Sequence, residues 1–181
     1  MTARLIEAGR FVLRPLEDED APAFAHAVRE SAAAVSRWMD WAHPAYTADE
    51  ALAWIAICRR DRVANTAHEF GVFDPSDGAL VGGAGLNRID AMHGTGNLGY
   101  WIRSSRLREG AALAAARALA AYGFDVLALT RLEIVTAEGN DASAGVARRL
   151  GAKHECLARH RLRVGGRPVR ANVHSLIPGD A

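Results

Sequence analysis

The chain has 181 residues, 50% of them hydrophobic, which suits one domain with a sizeable core, taken here as residues 1–181. A formal net charge of +1 leaves no global field that would mark a nucleic-acid or membrane partner. Two cysteines, Cys58 and Cys156, are too few for a disulfide framework and fit a reducing cytoplasm. No apolar run approaches a membrane span, and the first ten residues lack a signal-peptide core.

In chain order, Phe11-Val12-Leu13-Arg14 reads as a first strand, stopped at Pro15. Glu17-Asp18-Glu19-Asp20 supplies acidic residues for a helix start, and Pro22 suits its first turn, predicting a helix to about residue 29. Trp38-Met39-Asp40-Trp41 is an aromatic cluster in a short helix or loop. Thr47-Ala48-Asp49-Glu50 has capping-box spacing and opens a second helix to about residue 60. The pattern then changes period. Strands are predicted over 69–73 and 79–88 around the turn 74–78, and over 97–103 after the turn 92–96.

The third strand ends in Tyr100-Trp101-Ile102 and leads through a basic, polar run to Gly110, where a stretch of Ala and Leu broken only by Arg117 begins. Ala and Leu favour helix, and the missing polar face predicts a buried one. The first N–H groups of a helix have no partner within it, and the helix dipole adds partial positive charge there, so a phosphate or pyrophosphate would fit. GxxxxGK[ST] is absent, and Gly82-Gly83-Ala84-Gly85 lies inside a strand, which excludes a P-loop and a dinucleotide fingerprint. An ordinary connection with solvated arginines is the competing reading.

Beyond that helix, closed at 122–124, a strand is predicted over 131–137, then a turn and a helix over 142–150 ended by Gly151. Asn140 and Ser143 sit where capping residues belong. Two last strands, 155–164 and 170–177, flank the hairpin turn Gly165-Gly166-Arg167-Pro168. The unit 97–137 is long enough for a parallel crossover. The expected fold is therefore α/β: a mixed, mostly antiparallel sheet with a central splayed parallel pair and flanking helices. His154, Cys156 and His160 are metal-ligand types, but residue 160 lies too far along its strand to meet residue 154, so no metal site is expected.

Several of these segments, in this order and spacing, resemble the GNAT acetyltransferases. They are Trp38-Met39-Asp40-Trp41, Gly85-Leu86-Asn87-Arg88-Ile89-Asp90, Gly99-Tyr100-Trp101-Ile102, the loop into Gly110, Asn140 with Ser143, and Leu150-Gly151. Within that superfamily the chain is similar to the Rim-type ribosomal-protein-serine N-acetyltransferases. The resemblance implies acetyl-CoA as co-substrate, held between two splayed parallel strands. Trp101, Ile102 and Arg103 would hold the pantetheine arm, and Leu107, Arg108, Glu109, Gly110, Ala111 and Ala112 the pyrophosphate. Asn140 would bind pantetheine and Ser143 would protonate the departing sulfur. The implied partner is an amine acceptor such as a ribosomal protein N-terminus, with a homodimer as a further expectation.

The chain departs from the family pattern at three places. Leu107 replaces a polar residue, Glu109 brings a negative charge that Arg106 and Arg108 would offset, and Ala147 stands where many members carry a Tyr. The Rim-type carboxylate falls near Arg161 and Leu162, where there is no acid, so no general base is assigned. Glu69 and Glu133 are on strands where they could face the slot, but an exposed strand carboxylate is the preferred reading of each. An α-amine with a pKa of about 7.8 is roughly one-third neutral at about pH 7.5, whereas a lysine side chain is only about 0.1% neutral, so an N-terminus asks less of a base. Transfer to a protein N-terminal α-amine is the leading expectation. A small-molecule amine acetyltransferase and a non-catalytic acetyl-CoA-binding module are the alternatives.

Overall fold

The structure, a computed structural model, describes residues 5–180. Eight strands form one sheet in the order β1-β2-β3-β4-β5-β6-β8-β7. A short hairpin comes first, β1 (Ile6–Ala8) and β2 (Phe11–Arg14), turning at Gly9 with φ of +64°. The three-residue β1 escapes sequence reading because it is defined by its pairing rather than by a run of its own. A single 3-10 turn, Asp18–Asp20, leads into α1 (Ala21–Val35), with Pro at its start. This helix runs past residue 29, because Val28, Ser31 and Ala32 continue its buried stripe.

Thr47 caps α2 (Ala48–Val63): its side chain accepts from the Glu50 N–H while the Glu50 carboxylate reaches back to the Thr47 N–H, as the spacing predicts. Three antiparallel strands follow, β3 (His68–Asp74), β4 (Ala79–Asp90) and β5 (Thr95–Ile102). Then come α3 (Ala111–Asp125), β6 (Arg131–Ala137), α4 (Asp141–Leu150), and the hairpin β7 (Lys153–Val164) and β8 (Arg167–Leu176). Residues 122–124 lie inside α3 rather than closing it. Among the described residues no helix is long and apolar enough to cross a membrane.

Each face of the sheet carries its own core. On one, α3 and α4 cover Phe70, Leu86, Leu98, Leu132 and Ile134. On the other, α1 and α2 bury Phe24, Val28 and Ile55 against Phe73 and Leu80. Side chains alternate along a strand, so each residue of β3, β4 and β5 is assigned to one face. Glu69, Asn87, Asn97 and Trp101 belong to the α1/α2 face, and Tyr100 to the α3/α4 face.

Candidate active site

Among the described residues β5 and β6 form the one parallel pair, and they stay paired only from Thr95↔Arg131 to Asn97↔Glu133. Past Asn97 the strands part, leaving residues 98–102 with β4 on one side and an open slot on the other. The chain then turns through residues 103–110 into α3. Arg108 and Gly110 both have positive φ, +66° and +84°. The N–H groups of residues 107–112 find no acceptor among the described residues, and α3 has no side-chain cap. Six unpartnered donors at a helix N-terminus beside the slot suit a phosphate group.

Charge on this loop is arranged around that row. Arg106 donates from Nε to Glu109 at 2.8 Å and also binds Asp74 at 2.5 Å and Asp77 at 2.9 Å, while Arg10 reaches Asp74 and Glu109 as well. The Glu109 carboxylate is therefore neutralised by two arginines. Arg108 is exposed and forms no ion pair among the described residues, so it remains a free cation for an anionic ligand.

Across the slot, Asn140 caps α4 by accepting from the Ser143 N–H at 3.2 Å. The Ser143 hydroxyl donates to the Tyr100 oxygen at 3.2 Å, and the Tyr100 hydroxyl donates to the Ser143 carbonyl at 3.0 Å. Burial raises the Tyr100 pKa, so the phenol stays protonated. The pair places the Ser143 hydroxyl on the α3/α4 side of the slot, its proton engaged with Tyr100.

On the opposite face a cavity of about 480 Å³ reaches the β5 edge, walled by Phe24, Trp41, Tyr46, Trp54 and Trp101, with Glu69 in its floor. The Trp101 ring sits edge-on to Phe24 and to Trp41, with both centroid separations 5.6 Å. Two glycines clear the floor. A Cβ at Gly83 would lie 2.6 Å from Trp101 Nε1, and one at Gly85 would collide with the Glu69 carboxylate.

The chain as a whole is similar to known proteins. Residues 10–153 fit the family model described as acetyltransferase (GNAT) domain. The chain belongs to the GNAT acetyltransferase family. Bacillus subtilis YdaF, provisionally named a ribosomal N-acetyltransferase, is 32% identical over 85% of this chain and 84% of its own. A Vibrio cholerae structure provisionally described as a ribosomal-protein-serine acetyltransferase is 34% identical, covering 98% of this chain and 100% of its own, with a TM-score of 0.86. Mycobacterium smegmatis RimJ in complex with CoA-disulfide shares the fold, at 23% identity and a TM-score of 0.86, over 97% of this chain and 85% of its own. This GNAT protein is an acetyl-CoA-dependent N-acetyltransferase, and the free donors of residues 107–112 fit the phosphates of its co-substrate.

In this GNAT chain the structure brings most of the residues singled out from the sequence to the slot or its rim. Trp101 and Ile102 end β5, and residues 107–112 form the turn and first helical residues beside it. The Arg103 side chain is turned to α1, where it binds Glu30, the Leu80 carbonyl at 3.2 Å and His26, so only its backbone borders the slot. Leu107 is 54% exposed at the loop surface. Glu133 is tied to Arg131 at 3.0 Å and to Arg161 at 3.1 Å. Glu69 differs from the sequence expectation. It is not an exposed strand carboxylate: α2 covers it, and desolvation raises its pKa. The aromatics of the cavity were also missed, since Phe24, Tyr46 and Trp54 converge from α1, α2 and the segment between them; only the cluster 38–41 hinted at them.

Proposed function

We propose that this enzyme transfers the acetyl group of acetyl-CoA to the α-amine at a protein N-terminus, such as that of a ribosomal protein, as a single-domain enzyme of the cytoplasm. The observation that carries this reading is the cavity on the α1/α2 face. At about 480 Å³ it takes the end of a chain rather than a folded surface, and it reaches the β5 edge where the sheet opens. The resemblance to proteins named for ribosomal N-acetylation supports the choice of acceptor.

Each residue has a role that its position supports. The backbone at Trp101, Ile102 and Arg103 holds the pantetheine arm and polarises the thioester carbonyl. The donors of Leu107, Arg108, Glu109, Gly110, Ala111 and Ala112 take the pyrophosphate, with Arg108 adding charge. Asn140, whose carbonyl oxygen is committed to the cap, offers its amide N–H groups to pantetheine. Ser143, backed by Tyr100, gives a proton to the departing sulfur, an interaction that strengthens as charge develops there.

The test is mass spectrometry of a peptide panel incubated with acetyl-CoA: peptides with a free N-terminus and no lysine, and blocked-terminus peptides with one lysine. Acetylation confined to the free termini is expected. Acetylation of small amines with none of the peptides would overturn the reading.

A further inference from the structure

The cavity contains one carboxylate that the roles above leave unused. Glu69, on β3, pairs in register with Gly85 of β4, which pairs with Gly99 of β5. Neither glycine carries a side chain, so the Glu69 carboxylate lies across bare β4 backbone toward the edge where β5 opens to the slot. Asn87 Nδ2 donates to its Oε1 at 3.0 Å, and Asn97 Nδ2 donates to Asn87 Oδ1 at 3.0 Å. This relay fixes one oxygen and leaves Oε2 without a hydrogen-bond partner among the described residues.

Compensation separates Glu69 from Glu133, a carboxylate on β6 with two strands between them. Glu133 is neutralised by two arginines, whereas no cation pairs with the Glu69 carboxylate among the described residues. Groups from α2 and β4 face it. From α2 come Cys58, Asp61 and Arg62, of which Arg62 donates to the Glu69 carbonyl and lies 4.4 Å over the Phe70 ring. From β4 come Asn87 and, at the cavity wall, Arg88.

We infer that Glu69 is the general base of this enzyme, taking a proton from the acceptor ammonium inside the aromatic-walled cavity. The inference rests on the proposed transfer to an amine in that cavity. The ammonium is drawn to the carboxylate and to the ring faces around it. One N–H proton passes to Glu69 Oε2, freeing the nitrogen lone pair. The nitrogen then forms a bond to the thioester carbonyl carbon, and the carbon–sulfur bond breaks with its electrons on sulfur. Glu69 releases that proton through the cavity mouth and takes the second nitrogen proton as the tetrahedral intermediate collapses, while Ser143 passes its proton to sulfur and regains one from solvent. Burial raises the affinity of Glu69 for a proton, which moves it toward the strength a base needs near neutral pH. Proton removal and proton delivery thus lie on opposite faces of the sheet, and Asn87 and Asn97 are positioning residues.

The test is the pH dependence of thiol release by the full chain with an acetylatable peptide, comparing the parent with Glu69→Gln, which keeps the Asn87 hydrogen bond. At about pH 7 the variant should lose about a hundredfold or more in kcat, with CoA affinity unchanged by calorimetry. The deficit should shrink above about pH 9, where an α-amine is already neutral. Glu69→Asp should keep the parent's pH profile at reduced kcat, which tests the carboxylate should Glu69→Gln fail to fold. A Glu69→Gln enzyme within threefold of the parent with the same profile would overturn the base assignment and leave the function standing. A parent that acetylates only small amines moves the same comparison to those amines and ends the N-terminal reading alone. A parent that binds CoA and acetylates no acceptor ends both.

Discussion

Ser143 does two things at once: its N–H is capped by Asn140, and its hydroxyl is held on Tyr100. The cap fixes the start of α4, so the hydroxyl stays at the slot without a conformational search. Because its bond to sulfur would matter chiefly as charge develops, Ser143→Ala should lower kcat by about tenfold or more while leaving CoA affinity within twofold. Steady-state kinetics beside calorimetry makes the check; a loss of affinity equal to the loss of rate would contradict it. Asn140 and Ser143 were legible as a pair because capping is local. Tyr100 was legible as part of a strand but not as the partner of Ser143, since that contact spans 43 positions in sequence. For Glu69 the less favoured of two sequence readings fits the structure, for a related reason. Whether a strand carboxylate is buried depends on the helix above it and the glycine beside it, and neither is its neighbour in sequence.

Helices and hairpins with local signals came through closely. The Thr47 box, the alanine-rich α3 and the turn at Gly165-Gly166 are each written within a few residues. The splay of β5 from β6 is not, because it depends on where parallel pairing stops. Nor is the way the last hairpin is tied to the segment after α1: Asp40 accepts from the N–H groups of Gly165 at 2.7 Å and Gly166 at 3.3 Å. This ties the hairpin tip to the aromatic segment around Trp41. Asp40→Ala should raise the acceptor KM several-fold and leave CoA affinity unchanged; an unchanged KM would show that the tie does not shape the cavity. On β3, His68 joins the segment after α2 to α3. Its Nε2–H donates to Asn65 Oδ1 at 2.7 Å and its Nδ1 accepts from the Tyr122 hydroxyl at 3.0 Å, so the ring is neutral. Burial, with Arg62 nearby, holds its pKa down to about 4 against an ordinary 6.5. A lowered histidine pKa favours the fold when the ring is neutral. Its contribution is complete above about pH 6.5 and is lost as pH falls toward 4. Thermal melts between about pH 6.5 and 5 should therefore fall more steeply for the parent than for His68→Gln, and equal slopes would refute the assignment.

For the whole molecule, the sheet works as a partition. The α3/α4 face offers the free N–H row, Asn140 and Ser143, and the α1/α2 face offers the aromatic cavity and Glu69; the two meet only where β5 leaves β6. Donor and acceptor can then be bound together yet enter from different sides, which suits direct transfer in a ternary complex. Co-substrate binding in this arrangement requires the phosphates at the start of α3, and Gly110 tests that. Its φ is +84° and a Cβ there would meet no protein atom within 4 Å, so the requirement is conformational and electrostatic rather than one of internal space. Asn tolerates left-handed backbone without adding charge, so Gly110→Asn serves as the control for Gly110→Asp. Calorimetric titration of CoA should give near-parental affinity for Gly110→Asn and a dissociation constant raised about tenfold or more for Gly110→Asp, about 1.4 kcal/mol. Parental affinity in Gly110→Asp would contradict the account, because the pyrophosphate would then lie elsewhere.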